Sequence, residues 1–161
     1  GIDREIALKG MLNAPPDVGA VEVKYFDANQ STNVYVNAFA ANEPKSTKAI
    51  LNKVESYNYP YKKIVIILNC RSDRVDRTRQ FAEDFITEVD FDTLICTGKS
   101  TQMVTEVMKG QPDKKYLNFE GKDIKEIEQA LYQESQNALI FCVGNIHGPG
   151  KQIAQYIEGI K

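Results

Sequence analysis

The fold class is decided by the stretch Ile64-Val65-Ile66-Ile67-Leu68-Asn69-Cys70-Arg71-Ser72-Asp73-Arg74-Val75-Asp76-Arg77-Thr78. It opens with an apolar, mostly β-branched run, as expected of a strand that is buried on both faces. The chain continues with Phe81, Phe85 and Val89, whose spacing of four is typical of the buried side of a helix. The charged residues between them therefore lie where a central strand passes into a helix, which is the usual position of ligands in an open parallel sheet.

The same charged residues fit a second interpretation, in which they only begin a helix. Asp73 is then the N-cap, Asp76 completes a capping box three residues later, and the arginines are solvated. The sequence leaves both interpretations open, because helix caps of this kind are common.

Composition restricts the classes of protein to which the chain can belong. Its 161 residues are enough for one domain with a hydrophobic core. The 20 Lys and Arg residues against 22 Asp and Glu residues give a formal net charge of -2, which argues against a nucleic-acid partner. No apolar run approaches the roughly 20 residues that cross a bilayer, so this fragment is expected to be soluble.

Strand and helix patterns alternate along most of the chain. The predicted strands are 21–25, 34–39, 63–69, 93–96 and 138–143, and the predicted helices are 44–56, 74–89, 101–109, 123–135 and 150–160. A polar turn from Asp27 to Asn33 connects the first two strands, a possible antiparallel pair near the N-terminal end. The repeated strand–helix units predict an α/β fold with a mainly parallel sheet and helices on both faces.

Four polar or glycine-containing turns follow the parallel strands and are expected at one edge of the sheet. They contain Asn42, Arg71, Lys99 and the segment 144–148. Cations, amides and backbone N–H donors of this kind suit carboxylate or phosphate groups. The sequence therefore predicts an anion-binding edge.

One of these turns, Thr97-Gly98-Lys99-Ser100, resembles the end of a phosphate-binding P-loop. The complete motif needs a glycine five residues before Gly98, where this chain has Thr93. The backbone N–H groups of the turn, with Lys99 beside them, remain a possible anion site.

The cysteines predict buried, reduced thiols. Cys70, Cys96 and Cys142 each end an apolar run, and their spacing does not indicate a disulfide framework. A zinc site formed by these thiols with His147 is a weaker alternative, because no Cys-x-x-Cys pair supports it. No metal site and no catalytic residue is assigned.

Four motifs lie in order across nearly the whole chain. They are Lys9-Gly10-Met11-Leu12-Asn13-Ala14-Pro15-Pro16-Asp17, Asn37-Ala38-Phe39-Ala40-Ala41-Asn42, Asn69-Cys70-Arg71-Ser72-Asp73-Arg74-Val75-Asp76-Arg77-Thr78 and Gly144-Asn145-Ile146-His147-Gly148. Together they resemble the carboxyl-terminal part of poly-γ-glutamate synthase, the ATP-dependent ligase subunit that makes a capsule or slime polymer in some bacteria. More distantly, the chain resembles the Rossmann-like carboxyl-terminal domain of the Mur ligase and folylpolyglutamate synthase superfamily.

The resemblance implies a reaction and a division into domains. ATP phosphorylates a carboxylate of the growing chain, and the amine of an incoming glutamate attacks the acyl phosphate to form an amide. Residues 1–17 are then the end of a central domain with its linker, and residues 18–161 form the domain that binds glutamate and closes over ATP. ATP and Mg²⁺ are implied as cofactors, held mostly by the upstream domain, so the isolated chain is expected to be inactive.

Site residues follow from the same motifs. Ser72-Asp73-Arg74 with Asp76 resembles the Gly-Asp-Arg-Asp of the Mur ligases, and Gly144 to Gly148 resembles their Gly-Lys-Gly-His-Glu. The implied substrate-binding residues are Arg71, Asp73, Arg74, Arg77, Asn145 and His147, and the implied cofactor-binding residues are Asn42, Lys99 and Gly144. Ala38, Ala41 and Gly148 depart from the superfamily pattern, so the contacts made there in relatives are not carried over.

The implied partners are glutamate, the growing poly-γ-glutamate chain and the other subunits of a membrane synthase complex. This places the full-length protein at the cytoplasmic face of the cell membrane. The alternative is a non-catalytic Rossmann-like module that binds a nucleotide or mediates assembly.

Overall fold

A computed structural model describes residues 21–41 and 43–160. The predicted domain boundary near residue 17, the first motif and the cofactor-binding prediction for Asn42 lie outside the described residues.

The described chain contains six strands and five α-helices, which alternate from the second strand onward. The strands are β1 Glu22–Ala28, β2 Ser31–Asn37, β3 Lys63–Cys70, β4 Thr93–Gly98, β5 Lys115–Asn118 and β6 Ala138–Gly144. The helices are α1 Pro44–Ser56, α2 Val75–Phe81, α3 Gln102–Lys109, α4 Ile124–Glu134 and α5 Pro149–Glu158. A 3₁₀ turn, Ser72–Arg74, precedes α2, and a π-helical turn, Ala82–Ile86, extends it.

The strands form one sheet in the order β1-β2-β6-β3-β4-β5. Strand β1 pairs with β2 in antiparallel orientation, and every other neighbouring pair is parallel. The predicted α/β fold, with a mainly parallel sheet and an antiparallel pair near the N-terminal end, is therefore confirmed.

Helices cover both faces of the sheet, as predicted. Leu51 of α1, Phe81 of α2 and Val104 of α3 pack into the core on one face. Leu131 of α4 and Ile153 of α5 pack into the core on the other face. The apolar runs of β3, β4 and β6 lie between these two layers and are almost fully buried, which explains why they do not alternate with polar residues.

Two parts of the sheet differ from the prediction. The polar segment from Asp27 to Asn33 is mostly strand, and the turn itself is only Asn29 and Gln30, whose φ angles of 47° and 59° suit a tight two-residue hairpin. Strand β5 was missed because it has four residues and its side chains are at most partly buried, so it lacks a strong apolar pattern.

None of the described helices is long and apolar enough to cross a bilayer.

An ion-pair cluster joins the amino ends of three parallel strands. The carboxylate of Glu134, at the end of α4, accepts hydrogen bonds from Lys63 of β3, Lys115 of β5 and the hydroxyl of Thr93 of β4. The side chain of Glu134 is only 6% exposed. Burial alone raises the pKa of this carboxyl, but the two ammonium groups outweigh it, and the net shift is downward.

This downward shift predicts how stability depends on pH. A carboxyl whose pKa is lowered on folding stabilises the native state above its ordinary pKa of 4.5, and the contribution is lost as the pH falls through the folded value. We expect Glu134→Gln to lower the free energy of unfolding at pH 7 by about 2 kcal/mol and to flatten its decline below pH 4.5. Urea unfolding from pH 7 to pH 3 measures both effects.

Glu106→Gln provides the matched control, because Glu106 pairs with Lys109 on the exposed surface of α3. We expect it to change stability by less than about 0.5 kcal/mol. An equal loss in both variants would contradict a special role of the buried cluster.

Candidate functional site

The carboxyl ends of the parallel strands meet at one edge of the sheet. In the strand register, Asn69 of β3 lies opposite Gly144 of β6, and Cys70 lies opposite Gly98 of β4. The predicted common edge is therefore confirmed for the turns that begin at Arg71, Gly98 and Gly144.

Asn69 is at the centre of this edge, on the strand between β6 and β4. It is 2% exposed. Its Nδ2 donates to the carbonyl oxygens of Asn145 at 2.5 Å and His147 at 2.8 Å, and its Oδ1 accepts from the hydroxyl of Thr97 at 3.0 Å. Its own carbonyl oxygen accepts from the backbone N–H of Asn145 at 3.0 Å.

Three glycines make room for these contacts. A Cβ on Gly98 would lie 2.0 Å from the carbonyl oxygen of Cys70, and one on Gly144 would lie 2.4 Å from that of Asn69. A Cβ on Gly150 would lie 2.7 Å from Nδ2 of Asn69. Gly98 and Gly144 also have φ angles of 90° and 95°, which side chains rarely adopt. The cofactor contact of Gly144 remains a prediction. The close approach of β3 already explains why this residue is a glycine.

The arginines of the decisive stretch come together beside Asn69. A small pocket at the edge of the sheet is lined by residues that include Arg71, Arg74, Arg77, Asn69, Gly144 and Asn145. The pocket thus combines four of the six predicted substrate-binding residues, all but Asp73 and His147.

Arg71 and Asp73 form a bidentate ion pair within the turn. Nε and Nη2 of Arg71 donate to the two carboxylate oxygens of Asp73 at 2.8 and 2.7 Å. These hydrogen bonds hold the pKa of the Asp73 carboxyl below its usual range. The helix that follows has no side-chain cap at its start, so the capping-box interpretation is wrong.

Arg74 and Arg77 differ from Arg71 in their partners. Within residues 21–41 and 43–160, no carboxylate lies within ion-pair distance of either guanidinium group. Arg74 is exposed and Arg77 is half-buried. The pocket therefore holds two positive charges without a described counterion, and such guanidinium groups suit carboxylate or phosphate ligands.

The P-loop-like turn already holds a carboxylate of the protein. The side chain of Glu120 accepts from the backbone N–H groups of Ser100 at 2.6 Å and Thr101 at 3.2 Å, and from the hydroxyl of Thr101. These bonds hold the pKa of the Glu120 carboxyl below its usual range. The backbone donors expected to bind a substrate anion are thus occupied. The side chain of Lys99 is exposed and remains available for the predicted cofactor contact.

His147 and Asn145 lie on the turn that Asn69 holds. The backbone N–H of His147 donates to Oδ1 of Asn145 at 2.8 Å, and the His147 residue is exposed. His147 does not line the arginine pocket, although its turn borders it through Asn145.

The cysteines are free and buried, as predicted. Sγ of Cys70 lies 3.8 Å from Sγ of Cys96, whereas Cys142 belongs to the core on the opposite face of the sheet. Burial raises the pKa of the Cys142 thiol. Across the part of the chain that the structure describes, no cluster of His, Cys, Asp or Glu side chains could hold a metal ion. The zinc alternative therefore has no support in this geometry.

The sequence places Asn69 at the start of the arginine turn on this edge but predicts none of its contacts, and it does not predict that Glu120 lies here. The partners of Asn69, which are Thr97, Asn145 and His147, are far away in the chain. Glu120 follows β5, the strand that the sequence pattern did not reveal. In both cases the missing information was which turns become neighbours.

The sheet order and this edge define an α/β domain with an arginine-lined pocket at the carboxyl ends of its strands. Comparison with known families identifies the class of this domain. The model of the poly-gamma-glutamate synthase CapB C-terminal domain matches residues 23–160. The chain therefore belongs to the family of CapB C-terminal domains of poly-gamma-glutamate synthase.

Two curated relatives agree with this assignment. The chain is 39% identical over 159 residues to the capsule biosynthesis protein CapB of Bacillus anthracis, covering 98% of this chain and 34% of that protein. It is 40% identical over 163 residues to the PGA synthase CapB of Bacillus subtilis strain 168, covering 100% of this chain and 42% of that protein. The chain thus spans about two fifths or less of the relatives' length.

The crowding around Asn69 predicts a large effect of adding one methyl group. We expect Gly144→Ala to lower the free energy of unfolding by about 3 kcal/mol or more, because the new Cβ overlaps a backbone oxygen and the backbone is strained. Urea unfolding of this chain measures the change.

Gly121→Ala separates the two causes. Gly121 has a φ of 69°, but no atom lies within 4 Å of the position that a Cβ would take there. We expect a loss of about 1–2 kcal/mol, from backbone strain alone. Equal losses at both positions would show that the close approach to Asn69 does not constrain the edge.

Proposed function

We propose that the full-length enzyme is an ATP-dependent ligase that joins glutamate through γ-carboxyl linkages by way of an acyl phosphate, and that this domain binds the incoming glutamate. The observation that carries the proposal is the pocket that Arg71, Arg74 and Arg77 line together. The names of the relatives, capsule biosynthesis protein and PGA synthase, support the polymer as the product.

Charge explains why this pocket suits glutamate. A free glutamate carries two carboxylates, and the pocket contains two guanidinium groups, on Arg74 and Arg77, without a described acidic partner. Each can form charge-assisted hydrogen bonds with a carboxylate. A ligand with two negative charges therefore balances the charge of the pocket better than a neutral one.

In this proposal, the role of Asp73 is to orient Arg71. Its carboxylate is already engaged by both donors of Arg71, so it orients that guanidinium group along the rim of the pocket. Asn145 would contact the acceptor through its side-chain NH₂ group, because its carbonyl oxygen is used by Asn69 and its Oδ1 by the backbone N–H of His147. His147 does not line the pocket, so its substrate contact stays a prediction.

We assign the binding of ATP and Mg²⁺ chiefly to the part of the full-length enzyme that precedes this domain. Triphosphate binding with Mg²⁺ usually needs the backbone, the lysine and the hydroxyl ligand of a complete P-loop. Here the comparable backbone donors of Ser100 and Thr101 bind Glu120. Lys99 and Gly144 would therefore touch only the edge of a nucleotide when the domains close.

The growing polymer and the other subunits of a synthase complex at the cytoplasmic face of the membrane remain the proposed partners. The support for them is the family of the chain and the names of its relatives.

Arg74→Ala in the full-length ligase tests the arginine pocket. We expect kcat/KM for glutamate, followed as glutamate-dependent ATP hydrolysis, to fall about tenfold or more, because a charge-assisted contact contributes roughly 1.5–3 kcal/mol. Arg74 has no described ion pair to lose, so its removal should leave the fold intact.

Arg79→Ala provides the matched control. Arg79 is an exposed residue of α2, the helix that follows Arg74, and it does not line the pocket. We expect its kcat/KM to stay within about twofold of the unmodified enzyme. Small and equal effects of the two substitutions would favour the alternative, a non-catalytic nucleotide-binding or assembly module.

Calorimetry of this chain with MgATP tests the assignment of the nucleotide site. We expect no ATP hydrolysis and binding no tighter than about millimolar, which corresponds to roughly -4 kcal/mol. Micromolar binding or measurable hydrolysis would show that a nucleotide site is complete within this chain and that the proposed division between domains is wrong.

A further inference from the structure

The side chain of Asn69, at the end of β3, binds one of the two turns that form the proposed glutamate site, and the other turn, which carries the arginines, follows Asn69 in the chain. Both hydrogens of its amide are donated to carbonyl oxygens of the segment 145–147, and its oxygen accepts from Thr97. The amide therefore has no hydrogen left to donate to a substrate. Its effect on a ligand must act through the turns that it holds.

Asn69 also lies close to the arginines. It is two residues before Arg71 in the chain and lines the same pocket. The opposing turn begins with Gly144 and contains Gly148, which both have positive φ angles. Glycines give this turn many accessible conformations, and the two bonds from the Asn69 amide, together with the backbone bond from Asn145 to the Asn69 carbonyl, restrict its position beside the arginine turn.

We propose that Asn69 is a positioning residue for the incoming glutamate. It holds the turn that carries Asn145 and His147 at a fixed distance from Arg74, so that both sides of the pocket contact one ligand. This inference rests on the proposed function. Its physical basis is that misplacing a binding group by about 1 Å strongly reduces turnover even when the group itself is unchanged.

The chemistry at this position requires an amide. Two carbonyl oxygens and one hydroxyl face the side chain, so two donors and one acceptor are needed on a short stem. An aspartate would place a negative charge against the two carbonyl oxygens, and a serine offers one donor.

The test compares Asn69→Ala with Asn33→Ala in the full-length ligase. Asn33 is a close structural match, because it is fully buried and makes the same kinds of bond. Its Nδ2 donates to the carbonyl oxygens of Ala28 and Ser31, and its Oδ1 accepts from the backbone N–H of Ala138. Ala138 begins β6, so Asn33 lies at the edge of the sheet opposite the proposed site.

We expect Asn69→Ala to lower kcat/KM for glutamate about tenfold or more, with KM for ATP changed less than about threefold. Asn33→Ala should lower the melting temperature to a similar extent and keep kcat/KM for glutamate within about threefold. Equal falls in kcat/KM for the two variants would overturn the inference, since they would report lost stability only.

A milder pair of variants keeps the test decisive if the alanine variants do not fold. Asn69→Ser retains one donor and should lower kcat/KM for glutamate by more than about threefold, whereas Asn33→Ser should not. Equal values for the serine pair would overturn the inference.

Arg74→Ala in the same assay separates this inference from the proposed function. A fall with Arg74→Ala but none with Asn69→Ala would overturn the positioning role alone. No fall with either variant would overturn both.

Discussion

The edge of the sheet depends on one constraint, which is that the buried amide of Asn69 must have its hydrogen bonds satisfied. A buried amide without partners is destabilising, so the chain must bring two carbonyl oxygens and a hydroxyl to this point. Gly150 is a glycine for this reason, since a Cβ there would collide with the amide, whereas a Cβ on Gly98 or Gly144 would collide with a backbone oxygen of β3. The side chain of Asn69 thus fixes the 145–147 turn and links it to Thr97 of β4.

The same edge contains two groups of donors, the P-loop-like turn and the arginine pocket, which differ in whether the protein supplies their acidic partner. At the amino end of α3, the carboxylate of Glu120 occupies the backbone donors, so the site is neutralised by the protein itself. In the arginine pocket, Asp73 forms an ion pair with Arg71, and no described carboxylate lies within ion-pair distance of Arg74 or Arg77. The site that Glu120 occupies is therefore structural, whereas the charge of the arginine pocket can be balanced by a ligand. The occupied site explains why a P-loop-like sequence need not bind phosphate.

The sequence predicts those features of the fold and the site that depend on residues close together in the chain. The apolar runs of β3, β4 and β6 indicated strands buried on both faces, and the chain order of strands and helices then placed the turns after them at one edge. The arginine pocket follows from the same reasoning because its arginines lie on one short stretch. The bonds of Asn69 and Glu120 connect residues 19 to 78 positions apart, and no local pattern encodes such pairs.

At the opposite edge of the sheet, the buried polar groups have partners within the protein. There, Glu134 holds the first residues of β3, β4 and β5 through two lysines and a threonine, and its carboxylate is nearly inaccessible. Charges at that edge are paired inside the protein, and the buried amide of Asn33 is satisfied by nearby backbone. The arginine pocket at the other edge keeps two cations without a described partner. A folded chain gains no stability by gathering like charges, and the glutamate proposed to bind here would supply the opposite charge.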